Sequence, residues 1–238
     1  MTYVMSDIHG NLDRFNSVMK QIDLKPTDTL YILGDVVDRY KYGIKILLKI
    51  MKMPNVKMLL GNHEYMMLQA LDSDADKWER YSPSNKYIHR WYRNGGECTH
   101  EYIKHIRKDT RRAIFDFLQA LPVNYEIEVN GVKYKLVHGS PVENCDSFWR
   151  RHYANEREFA VWERWDECHP VPEGFTLIFG HTPTCYFQEA NPPTIWHSDE
   201  AIGIDCACGY FDGRLACLRL DDMQEFYSEP TQDYDFIP

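Results

Sequence analysis

The chain has no uninterrupted stretch of about 18 apolar residues, the length a helix needs to cross a bilayer, so a transmembrane helix is excluded and no membrane role is expected. No positively charged leader, apolar signal core or cleavage site precedes the first apolar run at Tyr3, and a cytoplasmic location is the expectation. Cysteine lacks any framework. The seven cysteines are odd in number and irregularly spaced, and Cys206 and Cys208 stand too close for the usual zinc spacing, so reduced thiols are expected. Basic charge is in deficit, with 27 Lys and Arg against 36 Asp and Glu and a formal net charge of -9. That balance argues against extended nucleic acid as a partner, because wrapping it requires a broad basic surface. Repeats, low-complexity tracts and long Gly/Ser linkers are also missing, which makes one domain over residues 1–238 the economical expectation.

An apolar share of 44% over 238 residues is enough for one sizeable core. Short runs rich in Val, Ile, Leu and Tyr fall at residues 3–5, 30–33, 56–60, 133–137, 176–179, 201–204 and 215–220. Between the early runs lie helical patterns, first Leu12, Phe15, Val18, Met19 and Ile22, then Ile44, Leu47, Leu48 and Met51. This alternation indicates an α/β fold. Residues 125–137 differ, since two alternating segments flank Asn130-Gly131, which predicts a β-hairpin and hence mixed rather than purely parallel sheets. The basic run 104–112 alternates with apolar positions and is expected to form a solvated helix face. Trp149, Tyr153, Phe159 and Trp162 are expected to pack, while Arg150, Arg151 or Arg157 is a candidate for recognising an anionic substrate. A candidate cap or specificity insertion covers about 141–172, and an acidic C-terminal tail covers 221–238.

The chemistry concentrates where five apolar runs each end in a polar residue able to bind metal. Residues 3–5 lead to Asp7 and His9, 30–33 to Asp35, 56–60 to Asn62 and His63, 134–137 to His138, and 177–179 to His181. Ligands in open α/β sheets gather at the carboxyl ends of strands, so these distant residues are expected to meet in one cleft. Asp7 and His9 would face the same way if their segment is extended. Asp35, Asp38 and Arg39 would share one side if theirs turns helically. Each pattern alone also suits a helix cap or a surface turn; Asn62 in particular reads as an N-cap as well as a ligand.

The blocks Asp7-Ile8-His9-Gly10, Gly34-Asp35-Val36-Val37-Asp38-Arg39, Gly61-Asn62-His63-Glu64, His138-Gly139 and Gly180-His181-Thr182 resemble, in order, those of the phosphoprotein phosphatase family of calcineurin-like metallophosphoesterases. Asn94-Gly95-Gly96 and the segment from Ile204-Asp205 to Asp221 look like bacterial members. The resemblance implies two mixed β-sheets packed as a central sandwich flanked by helices. It implies that Asp7, His9 and Asp35 bind one metal ion, and that Asp35, Asn62, His138 and His181 bind the other. His63 would be the general acid, Asp38 its orienter and Arg39 a phosphate holder, with Asn62 contacting substrate as well. Trp162-Glu163-Arg164 is similar to a bacterial motif that nominates Arg164 as a second phosphate clamp. The chain departs from the pattern at Tyr40, where the family has glycine, and in the residues after His138.

Oxygen and imidazole ligands without thiolate suit manganese, iron or zinc better than calcium, and the family puts two Mn2+ first. The implied reaction is hydrolysis of phosphomonoesters by a metal-bridging hydroxide, with His63 protonating the leaving oxygen. The expected substrate is a phosphoprotein or a small phosphoester, as for a Ser/Thr protein phosphatase. The alternative is a dinucleoside polyphosphate hydrolase of the diadenosine tetraphosphate type. A non-catalytic phosphate-binding module ranks behind both, because no ligand position is missing.

Overall fold

The protein is described by a computed structural model, which covers residues 1–71 and 85–229. In chain order the elements are β1 (Thr2–Met5), α1 (Leu12–Ile22), β2 (Thr29–Ile32), α2 (Gly43–Ile50), β3 (Val56–Met58), α3 (Asn62–Ala70), α4 (Lys86–Arg93), α5 (Glu97–Lys104) and α6 (Lys108–Ala120). Then follow β4 (Asn124–Val129), β5 (Val132–Val137), α7 (Glu156–Trp162), β6 (Thr176–Phe179), β7 (Trp196–His197), β8 (Ala201–Gly203), β9 (Ala216–Arg219) and β10 (Gln224–Tyr227). They build two five-stranded mixed sheets, ordered β10-β9-β1-β2-β3 and β4-β5-β6-β8-β7. β1, β2 and β3 run parallel in the first sheet, and β5, β6 and β8 in the second.

Strand alternation sorts the apolar residues into three layers. Val4, Tyr31, Leu33 and Leu218 of the first sheet pack against Tyr134, Leu136, Ile178 and Ile202 of the second, forming the interior of the sandwich. Tyr3, Met5, Leu30 and Ile32 point the other way, onto Phe15, Val18, Leu47, Met67, Ile114 and Leu118 of the helices. On the other face of the second sheet its own Phe179 and Trp196 pack with Trp165. Each fully buried aliphatic or aromatic side chain contributes roughly 1.5–3 kcal/mol relative to exposure. No helix among the described residues is long and apolar enough to cross a membrane.

The predicted hairpin is present as β4 and β5, joined by Asn130 (φ 51°) and Gly131 (φ 81°), the left-handed pair of a tight hairpin turn. All seven cysteines are free thiols. Part of the predicted tail is instead a strand: β10 pairs antiparallel with β9, with Phe226 opposite Cys217 and Tyr227 opposite Ala216. Tyr234 and Phe236 lie outside the described residues.

The basic run 104–112 is not one solvated helix face. It spans the junction of α5 and α6, where buried Arg111 donates to the carbonyls of Ile103, Lys104 and Ile106 at 3.1, 2.7 and 3.1 Å. The guanidinium thus satisfies acceptors that the end of a helix leaves open. Arg157 does the same for α6, donating to Leu118, Gln119 and Leu121, and Arg150 pairs with Glu156 at 2.6 Å on the surface. Two of the three arginines nominated for anion recognition therefore have partners of their own. Trp149, Tyr153 and Phe159 pack together as expected, with ring centroids 5.5 to 6.2 Å apart.

Candidate active site

Beyond the parallel strands the chain turns sharply, and the turn residues converge. Asp7 and His9 follow β1, Asp35 follows β2, Asn62 and His63 open α3 after β3, His138 follows β5 and His181 follows β6. The local geometry differs from both simple expectations. Asp7 and His9 are not extended but have φ of 55° and 48°, and Asp38 and Arg39, at 74° and 67°, do not turn helically. With Asp35 at 53° and His181 at 62°, six residues of this cluster occupy the left-handed region that side chains ordinarily avoid. Asn62 is not the helix cap. Gly61 caps α3, and Asn62 is its first residue, which leaves its amide available to the cluster.

Strain of this kind persists only where the surroundings enforce it, and Glu64 is the principal brace. Its buried carboxylate accepts from the backbone N–H groups of Asp35, Val36, Val37 and Gly61 at 2.9, 2.8, 3.2 and 3.1 Å. Close packing adds to this, since a Cβ on Gly61 would fall 2.2 Å from Asp35 Oδ1 and one on Gly180 2.5 Å from Asp7 Oδ2. Asp35 Oδ1 accepts from His63 N at 2.9 Å, and Asp7 Oδ2 from His181 N at 3.0 Å.

Two trios share Asp35: His9, Asp35 and His63 place ligand atoms within 4.8 Å of one another, as do Asp35, His138 and His181. From Asp35 Oδ2 the distances are 3.7 Å to His9 Nε2, 3.9 Å to His63 Nε2 and 3.5 Å to His138 Nε2. Asp7 Oδ1 lies 3.8 Å from His9 Nε2.

The donor set fits metal ions. Carbonyls of Val37, Leu33 and Trp162 face one nitrogen each of His9 (Nδ1, 3.3 Å), His138 (Nδ1, 2.8 Å) and His181 (Nε2, 3.2 Å). A carbonyl only accepts, so that nitrogen carries the proton and the other offers a lone pair to the cluster. His138 Nε2 meets Asn62 Oδ1 at 2.9 Å, which sets lone pair against lone pair in a buried place, an arrangement a shared cation satisfies. Burial, the largest effect, lowers the pKa of His9, His138 and His181 and so keeps them neutral, the form that binds metal. Burial also raises Asp35 and, with further raising from Asp7 and Glu64, outweighs the lowering by His63.

His63 is set apart by its partner. Its Nδ1 lies 2.7 Å from Asp38 Oδ2, which also accepts from Trp91 Nε1 at 2.8 Å. Burial pushes Asp38 up to about 7 and His63 down to about 4, so both are drawn toward their neutral forms. Arg39 and Arg164 line the same cavity. The Arg39 guanidinium rests 4.6 Å above the Tyr210 ring, and Arg164 donates to the carbonyl of His181. Tyr40, the departure from the family pattern, is buried in the interior and does not line this cavity.

Three participants have no role assigned from the sequence. Glu64 lies inside a recognised block without an expected role, and Trp91 carries no sequence signal. Asp205 had one, because it directly follows the apolar run 201–204, as the other site residues follow theirs. It is buried in the cavity wall, and burial and then Asp7 raise its pKa well above the usual range.

Known proteins resemble this chain over most of its length. A serine/threonine-protein phosphatase 2 of Salmonella typhimurium is 25% identical over 187 residues, which cover 75% of this chain and 78% of that protein. A symmetrical bis(5'-nucleosyl)-tetraphosphatase of Salmonella paratyphi C is 24% identical over 281 aligned positions, covering 98% and 96% of the two chains. A protein serine/threonine phosphatase structure from Saccharomyces cerevisiae superposes with a TM-score of 0.60 at 14% identity, over 98% of this chain and 81% of that one. The model of the calcineurin-like phosphoesterase family matches residues 2–196, a span that takes in every residue lining the cavity except Asp205 and Tyr210, and the chain belongs to that family.

Proposed function

We propose that the protein is a dinuclear-metal phosphomonoesterase of the Ser/Thr protein phosphatase type. The observation that carries the substrate class is the cation count: among the described residues lining the site, Arg39 and Arg164 are the basic ones. Their two forked guanidinium groups match one phosphoryl group. The adjoining cleft, about 570 Å³, shares Pro183 and Tyr210 with the site and adds Tyr186, Asn191 and Asp212 but, among the described residues, no Lys or Arg. Such a surface suits a peptide segment better than a run of further phosphates. Full-length alignment with the tetraphosphatase supports the second reading, a dinucleoside polyphosphate hydrolase.

Asp7, His9 and Asp35 would hold one divalent cation, and Asp35, Asn62, His138 and His181 the other, Mn2+ being the first candidate for this nitrogen and oxygen set. When bound, the pair supplies charge for the phosphoryl oxygens and lowers the pKa of coordinated water toward neutrality. The chain supplies the remainder. Arg39 and Arg164 orient the phosphoryl oxygens, and residues 141–172 act as the specificity insertion that brings Trp162 and Arg164 to the cavity. Asp38 holds the Nδ1 proton of His63, so that Nε2 faces the site. An arriving phosphate dianion raises the proton affinity of that ring, so Nε2 takes up a proton from solvent as the substrate binds and then gives that proton to the leaving oxygen.

The test is kcat/KM for a phosphoseryl peptide and for diadenosine tetraphosphate, side by side with manganese-reconstituted enzyme and an Asp35→Asn control. Preference for the peptide, abolished in the control, is expected. Preference for the dinucleotide would overturn the substrate class, and activity surviving in the control would overturn the site.

A further inference from the structure

Asp38 is fully buried, and its Oδ2 receives two donors, His63 Nδ1 at 2.7 Å and Trp91 Nε1 at 2.8 Å. Two donors converging on one oxygen fix the carboxylate where one would leave it free to swing about the first bond. Trp91 is itself fully buried. Its indole lies against Gly96, where an added Cβ would come within 2.4 Å of Cδ1 and Nε1. The neighbouring Gly95 (φ 88°) accepts from Arg39 N at 3.0 Å, and a Cβ there would approach the Arg39 backbone to 3.1 Å. Thr99, on the helix that follows, accepts from Asp38 N at 3.0 Å. The Asn94-Gly95-Gly96 turn thus lets α4 and α5 close on Asp38 and Arg39 from one side, and both of those residues are held in left-handed backbone.

We infer that Trp91, seated by Gly96, is a positioning residue for proton delivery: its indole N–H fixes the Asp38 carboxylate that aims His63 Nε2 at the leaving oxygen. The inference rests on the proposed role of His63 as general acid. The indole of Trp91 is neither part of the cavity lining nor a candidate ligand, and the contact of residue 91 with the lining residue Asn94 is through its backbone carbonyl, so loss of the indole N–H spares phosphate binding and weakens only the step that depends on leaving-group protonation. Phenylalanine at 91 keeps the ring in the core and removes the donor. Loss of this one hydrogen bond sets the expected effect at roughly tenfold.

The experiment measures kcat and KM for Trp91→Phe, Gly96→Ala and His63→Gln on an alkyl phosphoester and on p-nitrophenyl phosphate, with metal content and melting temperature determined for each. Trp91→Phe is expected to lower kcat on the alkyl ester roughly tenfold and to change nitrophenyl turnover much less, because nitrophenolate departs without a proton. KM and metal content stay unchanged. Gly96→Ala pushes the indole off Asp38 without removing the donor and is expected to show the same selectivity. It provides the test if Trp91→Phe fails to fold. If His63→Gln is selective for the alkyl ester while both other variants lose equally on the two substrates or lose nothing, the role of Trp91 is overturned and the general acid stands. If His63→Gln itself loses equally on both, the general acid falls and the positioning role falls with it.

Discussion

Glu64 offers a sharp test of how the site is built. Its Oε1 accepts from Val36 N and Val37 N, and its Oε2 from Asp35 N and Gly61 N. Glu64→Gln keeps the shape but replaces one oxygen by an NH2 group. Whichever way the amide turns, two buried N–H groups lose their acceptor and face a donor. Orphaning a buried donor costs about 1–3 kcal/mol, so the substitution should destabilise by about 2–6 kcal/mol. In a chain of this size 1 kcal/mol moves the melting temperature by about 2–4 °C, so a fall of roughly 5–20 °C is expected. Removing the Glu64 charge relieves repulsion of Asp35, so the comparison belongs in metal-loaded protein, where cations already offset that repulsion. Glu64→Ala should cost at least as much unless water enters the space. Denaturant melts at neutral pH measure the difference directly. A Glu64→Gln protein within about 0.5 kcal/mol of wild type, the range of ordinary surface substitutions, would refute the brace on Asp35 and the two residues after it.

Two further outcomes follow from burial and charge. Chelation should lower the melting temperature by roughly 5–10 °C, since a ligand at about 100 times its Kd adds about 2.7 kcal/mol; an unchanged transition in thermal scans with and without chelator would show that the cluster holds no cation. Lys135 is buried between Glu126 (2.8 Å) and Glu143 (2.6 Å). Burial lowers its pKa, but the two carboxylates outweigh that and leave it raised. A raised folded pKa means that the pairing stabilises fully below the ordinary lysine value of about 10.4 and is lost as pH rises through the folded value. Wild type should therefore exceed Lys135→Met in denaturant midpoint at pH of about 8, and the gap should narrow by about pH 11; a constant gap would mean the ion pairs contribute nothing.

Much of the site was readable because it obeys one rule. Each candidate ligand follows an apolar run, and parallel strands bring their carboxyl ends together. The order of the blocks supplied the family. The path between them was not readable: extended and helical periodicities were the natural guesses for Asp7 with His9 and for Asp38 with Arg39, yet both pairs sit in left-handed backbone. Asp and His enter that region more readily than most residues, but it stays uncommon for any of them, and contacts far away in sequence hold it here, such as Thr99 on Asp38 and Gly95 on Arg39. Arg111 and Arg157 misled for a related reason. Charge alone cannot distinguish a solvated face from a helix end in need of donors. β10 was overlooked because its residues are half exposed and mixed with acids, and its identity as a strand comes from pairing with β9.

The candidate ligands are divided between two bodies. Asp7, His9, Asp35 and Asn62 hang from the first sheet, and His138 and His181 from the second, with Asp35 Oδ2 and His138 Nε2 only 3.5 Å apart across the divide. What joins the sheets elsewhere is an apolar layer that resists separation but grips weakly against sliding. Cations shared across the seam would act as rivets, turning a greasy contact into a pinned one. A methyl group removed from Leu136 or Leu218, within that apolar layer, would then be felt as metal affinity before it was felt as unfolding.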